Sequence, residues 1–205
     1  MKIAVSILSS NYSEEESVKR VNNTSADYLH VDVMDGHFVL NKTSEYEFLN
    51  ISNKKLQVHL MVANPFNYIS RYSLINTASV IIPIEIDDDI NGLLNLIKSN
   101  GLRCGLAISP NTSVEKIIPY VELLDDVLVL TVEPGMGGQK MMDSTLYKID
   151  ILRKIREERH LNYEITVDGG VNDITVDKVK NADIIVSGSF ICRSDDFQSQ
   201  INKLR

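Results

Sequence analysis

Tryptophan is absent from this 205-residue sequence, and cysteine occurs only twice, as Cys104 and Cys192. The two cysteines lie in apolar stretches, far apart in the sequence and without the spacing of metal ligands. We therefore interpret them as buried free thiols and assign them no function. This leaves histidine and carboxylate side chains as the candidates for chemistry.

Positive charge is scarce, and long hydrophobic runs are missing. Lys and Arg number 21 against 28 Asp and Glu, which gives a formal net charge of -7. This balance argues against binding to nucleic acid or to an anionic membrane, because either partner needs a basic surface. No segment approaches the ~20 apolar residues of a membrane span, and the opening "MKIAVSIL" is too short for a signal peptide. We expect a cytoplasmic protein whose partner is a small molecule, with any anionic ligand held by backbone N–H groups.

The hydrophobic pattern indicates a single domain over residues 1–205. Short β-branched runs occur at about 2–8, 26–33, 56–62, 78–84, 102–108, 126–132, 163–167 and 183–187. Helix signals lie between most of them, so strands and helices alternate. Such alternation predicts a parallel sheet, and eight units without a linker fit a closed (β/α)8 TIM barrel slightly better than an open doubly wound sheet.

Two helix starts are predicted from capping boxes, in which a Ser or Thr side chain caps the helix and a Glu follows three residues later. One pairs Ser13 with Glu16, and the other pairs Thr112 with Glu115. The stretch "STLYKIDILRKIREER" predicts a long amphipathic helix over 144–159. The connection after the second strand has the weakest helix signal.

The second strand, within "LHVDVMDGHF", carries polar residues at alternate positions. In an extended chain, His30, Asp32 and Met34 share one face, while Val31 and Val33 share the other. The two faces should therefore differ in function, one packing in the core and the other presenting polar groups.

Four residues at the carboxyl ends of predicted strands could bind a metal ion. They are His30 and Asp32 in "LHVDV", His59 in "VHLMV" and Asp168 in "TVDGG". Each alone is more simply a hydrogen-bonded core residue. Together they would place several buried polar groups in one barrel mouth, a cost that a divalent ion can offset. Zinc, iron(II), manganese and cobalt all suit these ligands, and the spacing does not choose among them.

Glycine-rich loops follow the last three predicted strands. They are "EPGMGGQ" (133–139), "DGGV" (168–171) and "SGS" (187–189). Each alone is more often an ordinary turn. In a barrel of this kind, the loops after the seventh and eighth strands commonly bind phosphate, and glycines let backbone N–H groups approach an anion closely.

The segments "SIL", "HVDVMDGHFV", "VHLMV", "LTVEPGMGGQ", "VDGGV" and "SGS", in this order from Ser6 to Ser189, closely resemble the ribulose-phosphate 3-epimerase family. These are metal-dependent (β/α)8 enzymes of pentose phosphate metabolism. The resemblance implies interconversion of D-ribulose 5-phosphate and D-xylulose 5-phosphate by 1,1-proton transfer at C3 through an ene-diolate. It also implies a homo-oligomer.

The resemblance further implies a role for individual residues. One divalent ion would be bound by His30, Asp32, His59 and Asp168, with Asp32 and Asp168 also acting as the acid and base. The implied substrate-binding residues are Ser6, His59, Met34, Met61, Gly137, Gly138, Gln139, Gly169, Gly170, Gly188 and Ser189.

Some positions depart from the family pattern, and other functions remain open. The family usually has other residues at the positions of Pro83, Ser109 and Phe190. These departures bear on the identity of the ketose phosphate substrate more than on the inference of a 3-epimerisation. The alternatives are a 3-epimerase of a related ketose phosphate such as D-allulose 6-phosphate and a non-catalytic sugar-phosphate-binding barrel. A decarboxylase or aldol-lyase barrel would carry a strand-end lysine in a "DxKxxD" pattern, which this sequence lacks.

Overall fold

Eight parallel strands form one closed barrel in sequence order in the computed structural model, which describes residues 1–43 and 45–205. The strands are β1 Lys2–Ser6, β2 Tyr28–Met34, β3 Lys55–Met61, β4 Thr77–Pro83, β5 Arg103–Ile108, β6 Asp126–Leu130, β7 Glu164–Asp168 and β8 Ile184–Ser187. Pairing of β1 with β8 closes the barrel. All eight predicted strands are present, so the predicted single-domain (β/α)8 barrel is confirmed.

Helices surround the barrel. They are α1 Glu14–Asn22, α2 Phe66–Tyr72, α3 Ile90–Ser99, α4 Tyr147–Glu158, α5 Ser189–Cys192 and α6 Phe197–Asn202. The Ser13 side chain caps α1 by accepting a hydrogen bond from the Glu16 amide, as predicted. The amphipathic stretch over 144–159 forms α4, as predicted. None of the described helices has the length and apolar character needed to cross a membrane.

Three connections depart from the strict alternation of strands and α-helices. Within the described residues, those after β2, β5 and β7 contain only 3₁₀ turns, at Leu49–Ile51, at Val114–Lys116 and Ile118–Tyr120, and at Val176–Val179. The helix predicted from Thr112 and Glu115 was therefore wrong. Pro119 explains this result, because it has no N–H to donate to the fourth preceding carbonyl and its ring obstructs a continuous α-helix.

The barrel separates an outer apolar layer from a mixed interior. Val31 and Val33 pack in the main core between the strands and the helices, which confirms the predicted faces of β2. The interior holds two small apolar clusters, Ile81, Ala107, Leu128 and Leu130 in one and Ala4, Ile184 and Val186 in the other. Buried polar side chains also face inwards, among them His30, Asp32 and His59.

Candidate metal and phosphate site

Four side chains from three strands converge inside the barrel, with His30 one step nearer the amino end of its strand than Asp32. His30 and Asp32 lie on β2, His59 lies on β3 and Asp168 ends β7. Strand pairing places Asp32 opposite His59, and one ligand atom from each of the four residues lies within 4.8 Å of all the others. The structure thus brings together all four residues predicted to bind a metal.

The chemistry of this cluster fits a divalent cation. His30 Nε2 and His59 Nδ1 each lie 3.4 Å from Asp32 Oδ1, and His30 Nε2 lies 3.9 Å from Asp168 Oδ2. Within the described residues, His30 Nε2 and both ring nitrogens of His59 are buried without a hydrogen-bond partner. Buried polar atoms of this kind are costly unless something compensates them. Two imidazole nitrogens and two carboxylate oxygens suit a borderline divalent ion.

The same proximity shifts the pKa values of the group. Burial disfavours charge on His30, but the Asp32 carboxylate outweighs this effect and the pKa of His30 rises to about 9. Burial opposes ionisation of Asp32, yet the two imidazoles keep its pKa well below the ordinary range. Burial and the negative charge of Asp32 raise the pKa of Asp168 to about 6. Without a cation at neutral pH, His30 therefore carries a proton between two carboxylates.

Hydrogen bonds fix the position of Asp32. The Ser6 hydroxyl donates to Asp32 Oδ2 at 2.7 Å, so the serine predicted to contact the sugar also orients a predicted ligand. The Tyr46 hydroxyl donates to the Asp32 backbone oxygen at 2.9 Å. The sequence interpretation missed Tyr46, since no pattern in the loop after β2 links it to that strand.

A cavity of about 600 Å³ opens above this cluster. Its volume suits a small molecule. The predicted substrate-binding residues that line it are Ser6, Met61, Gly137, Gly138, Gln139, Gly169, Gly170, Gly188 and Ser189, together with Asp32 and Asp168. His30 and His59 are fully buried, and Met34 lines a neighbouring cleft instead.

The glycine loops after β6, β7 and β8 line part of the cavity. At Gly170, where φ is +66°, a Cβ atom would lie 2.4 Å from the backbone nitrogen of Met141. This contact and the positive φ both require glycine. Gln139 donates from Nε2 to the carbonyl oxygens of Glu133 and Met136, so its side chain holds its own loop together. Phe190, one of the departures from the family pattern, also lines the cavity.

Three buried polar residues near the cluster were not singled out from the sequence. Gln57, Asp126 and Thr166 are each about 1% exposed or less, and Gln57 contacts His30 directly. Gln57 could have been found, because it lies two residues before His59 and therefore shares its strand face. Thr166 could have been found in the same way, because it lies two residues before Asp168, whereas the contact of Asp126 with Gln57 depends on the closed barrel.

Comparison with known proteins gives one consistent family. Residues 2–192 match the Ribulose-phosphate 3 epimerase family. The sequence is 36% identical to ribulose-phosphate 3-epimerase from Helicobacter pylori, covering 100% of this chain and 97% of the relative. It is 37% identical to the cytoplasmic isoform of ribulose-phosphate 3-epimerase from Oryza sativa, covering 100% of this chain and 92% of the relative.

The structure is similar to 3-hexulose-6-phosphate synthase from Salmonella typhimurium, with a TM-score of 0.70 over 100% of this chain and 96% of that one. The sequence identity is 17%, so this likeness shows the fold alone.

Cation binding should release a proton from His30. Because the pKa of His30 is about 9 without a cation, a Zn²⁺ ion that binds at pH 7.5 must displace that proton. We expect about one proton released per Zn²⁺, and an apparent affinity that rises roughly tenfold per pH unit between pH 7 and 8. Isothermal titration calorimetry in buffers of different ionisation enthalpy measures this number. A His37→Gln variant, altered at an exposed loop histidine, is the control and should release the same number of protons per Zn²⁺. Release of nearly zero protons by the unaltered protein would contradict the expectation.

Proposed function

The chain belongs to the ribulose-phosphate 3-epimerase family, and we propose that it interconverts D-ribulose 5-phosphate and D-xylulose 5-phosphate by inverting C3. One observation carries the proposal: four ligand atoms lie within 4.8 Å of one another, and two of the residues that offer them, Asp32 and Asp168, line a cavity that is also lined by the glycine loops following β6, β7 and β8. Such a cavity offers a reacting centre at one end and a phosphate-binding region at the other.

His30, Asp32, His59 and Asp168 would hold one divalent ion, with zinc, iron(II), manganese and cobalt as the candidates. When bound, this ion supplies Lewis acidity that stabilises negative charge on the substrate oxygens by several kcal/mol. His30 Nε2 and both ring nitrogens of His59 are buried and have no hydrogen-bond partner among the described residues, which supports this assignment.

Asp32 and Asp168 would act as the acid and base. Inverting a carbon next to a ketone requires removal of its proton from one face and delivery of a proton to the other, through an ene-diolate. The two aspartates suit this requirement because they approach the cavity from β2 and β7, which are separated by β8 and β1. The Ser6 hydroxyl holds Asp32 in place, while Asp168, with a side chain 20% exposed, remains accessible from the cavity.

The phosphate would bind among the glycine loops. The cavity is lined by Gly137 and Gly138 after β6, Gly169 and Gly170 after β7, and Gly188 with Ser189 after β8. Backbone N–H groups and a hydroxyl can hold a phosphate there, and Lys140 and Lys178 line the same cavity. Met61 lines the cavity near the aspartates and would contact the reacting part of the sugar. Met34 lines a neighbouring cleft and pairs with Met61 in the sheet, so it would affect the sugar only through the position of Met61.

The proposal also includes a cellular location and an assembly state. A cytoplasmic location follows from the sequence reasoning, and one relative is named as a cytoplasmic isoform. A homo-oligomer follows from the family resemblance alone.

Substrate comparison in D₂O tests the proposed reaction. Metal-loaded protein incubated with D-ribulose 5-phosphate should incorporate deuterium at C3 and form D-xylulose 5-phosphate, because the abstracted proton exchanges with solvent through the aspartates. NMR of the C3 position follows both events. Faster exchange with D-allulose 6-phosphate would move the assignment to that 3-epimerase. Binding of both sugars without exchange would favour a non-catalytic binding protein.

Replacing Asp168 tests the acid–base assignment. The Asp168→Asn change removes the proton-carrying oxygen but keeps the side-chain volume, so we expect turnover to fall by about 10²–10⁴-fold. Metal content, measured by mass spectrometry, separates loss of the ion from loss of the base. Asp173→Asn, altered at an exposed carboxylate in the same loop, should leave turnover unchanged. Turnover near that of the unaltered protein with metal still bound would rule out the role of Asp168 in proton transfer.

A further inference from the structure

A second group of buried polar side chains lies in the barrel interior, next to the metal-binding cluster and towards the amino ends of the strands. It consists of Gln57 on β3, Asp126 at the start of β6 and Thr166 on β7. Gln57 and Asp126 are each 1% exposed, and Thr166 is fully buried. None of the three lines the substrate cavity described above. A charged residue buried this deeply away from the ligand needs a reason to be there.

The three side chains form a closed set of hydrogen bonds. Gln57 Nε2 donates to Asp126 Oδ2 at 2.9 Å and to Thr166 Oγ1 at 3.3 Å. The Thr166 hydroxyl donates to Asp126 Oδ1 at 2.7 Å. Both protons of the Gln57 amide nitrogen and both carboxylate oxygens of Asp126 therefore have partners.

This arrangement allows only one orientation of the Gln57 amide. Burial raises the pKa of Asp126 to about 6, opposed by the hydrogen bonds from Thr166 and Gln57, so the carboxylate is ionised at neutral pH. An ionised carboxylate accepts hydrogen bonds but cannot donate them. The NH₂ group of Gln57 must therefore face Asp126, and the carbonyl oxygen must face the opposite way.

That carbonyl oxygen contacts a metal ligand. Gln57 Oε1 lies 2.9 Å from His30 Nδ1, and β2 and β3 place the two residues directly opposite each other. Because Oε1 can only accept, Nδ1 must carry a proton and donate it. The lone pair of a neutral His30 is then on Nε2, the ring nitrogen that points at Asp32 and Asp168 and has no hydrogen-bond partner within the described residues.

We propose that Gln57 and Asp126 are positioning residues for the metal site, which select the His30 tautomer and ring orientation that present Nε2 to the cation. The proposal rests on the metal site of the proposed function. It adds a series of hydrogen bonds from Asp126 through Gln57 to His30, in which the Asp126 carboxylate acts on the histidine ligand through the Gln57 amide. Partners of this kind fix the tautomer of a histidine ligand and increase its basicity, and losing one typically costs 10–100-fold in metal affinity or activity.

The Gln57→Met change tests this series of hydrogen bonds. Methionine has a similar volume, but it offers His30 Nδ1 no comparable acceptor and Asp126 no donor. We expect the dissociation constant for Zn²⁺, measured by competition with a chromophoric chelator, to rise by about 10–100-fold. In ¹⁵N NMR spectra of the Zn²⁺-loaded, unaltered protein, His30 should be protonated at Nδ1 and bound through Nε2. In the variant, the Nδ1 proton should lose the downfield shift that a hydrogen bond gives it.

A double replacement provides the rescue. In Gln57→Glu/Asp126→Asn, the glutamate again accepts from His30 Nδ1, and the asparagine amide donates to the glutamate, so the buried charge is retained but moved. We expect the affinity for Zn²⁺ to be within about threefold of the unaltered protein or tighter. Ser79→Ala is the matched control, because Ser79 is a buried polar residue beside Gln57 in the sheet that takes no part in these hydrogen bonds. It should leave the affinity unchanged.

The possible outcomes separate this proposal from the proposed function. If Zn²⁺ shifts the His30 signals but folded Gln57→Met binds as tightly as the unaltered protein, the positioning role is wrong and the metal site stands. If Gln57→Met does not fold, the NMR spectra of the Zn²⁺-loaded, unaltered protein are the test. A His30 protonated at Nε2 overturns the proposal. A His30 protonated at Nδ1, together with rescue in the double variant, supports it. If Zn²⁺ leaves the His30 signals unchanged, both the metal site and the positioning role are refuted.

Discussion

Two imidazole rings and two carboxylates share a small buried volume, and this constraint determines much of the rest of the structure. Their ligand atoms lie within 4.8 Å of one another, and only Asp168 has appreciable exposure to solvent. Such a group is unfavourable unless hydrogen bonds or a counter-charge compensate it. Ser6 and Gln57 each supply one hydrogen bond to the group, and a divalent cation would supply the compensation that remains.

The closed parallel barrel makes this concentration of charge possible. Because all eight strands run in the same direction, their carboxyl ends meet at one mouth, and residues from β2, β3 and β7 converge there. The glycine loops after β6, β7 and β8 border the same cavity, and the loop after β7 begins at Asp168, a member of the metal cluster. The cavity is therefore lined in one part by the Asp32 and Asp168 carboxylates and in another by glycine loops whose backbone N–H groups suit a phosphate. This division explains how a chain with a net charge of -7 could bind an anionic substrate.

Much of the fold and of the candidate site could be predicted from the sequence, because both depend on short-range patterns. The eight strands follow from β-branched runs, and the inward face of His30 and Asp32 follows from period two. The helix expected from Thr112 and Glu115 failed because Pro119 outweighs a capping signal. The contact of Gln57 with Asp126 could not be predicted, since β3 and β6 are not neighbours and only barrel closure brings them together. The loop-holding role of the Gln139 side chain likewise depends on how its loop folds back.

The proposed reaction depends on one divalent cation bound by side chains from three strands of the barrel. An X-ray structure of Zn²⁺-loaded protein, with an anomalous difference map at the zinc edge, would locate this cation. We expect a single strong peak within bonding distance of His30 Nε2, His59, Asp32 and Asp168. A map without a peak between these four side chains, in a crystal of protein shown to contain stoichiometric zinc, would contradict it.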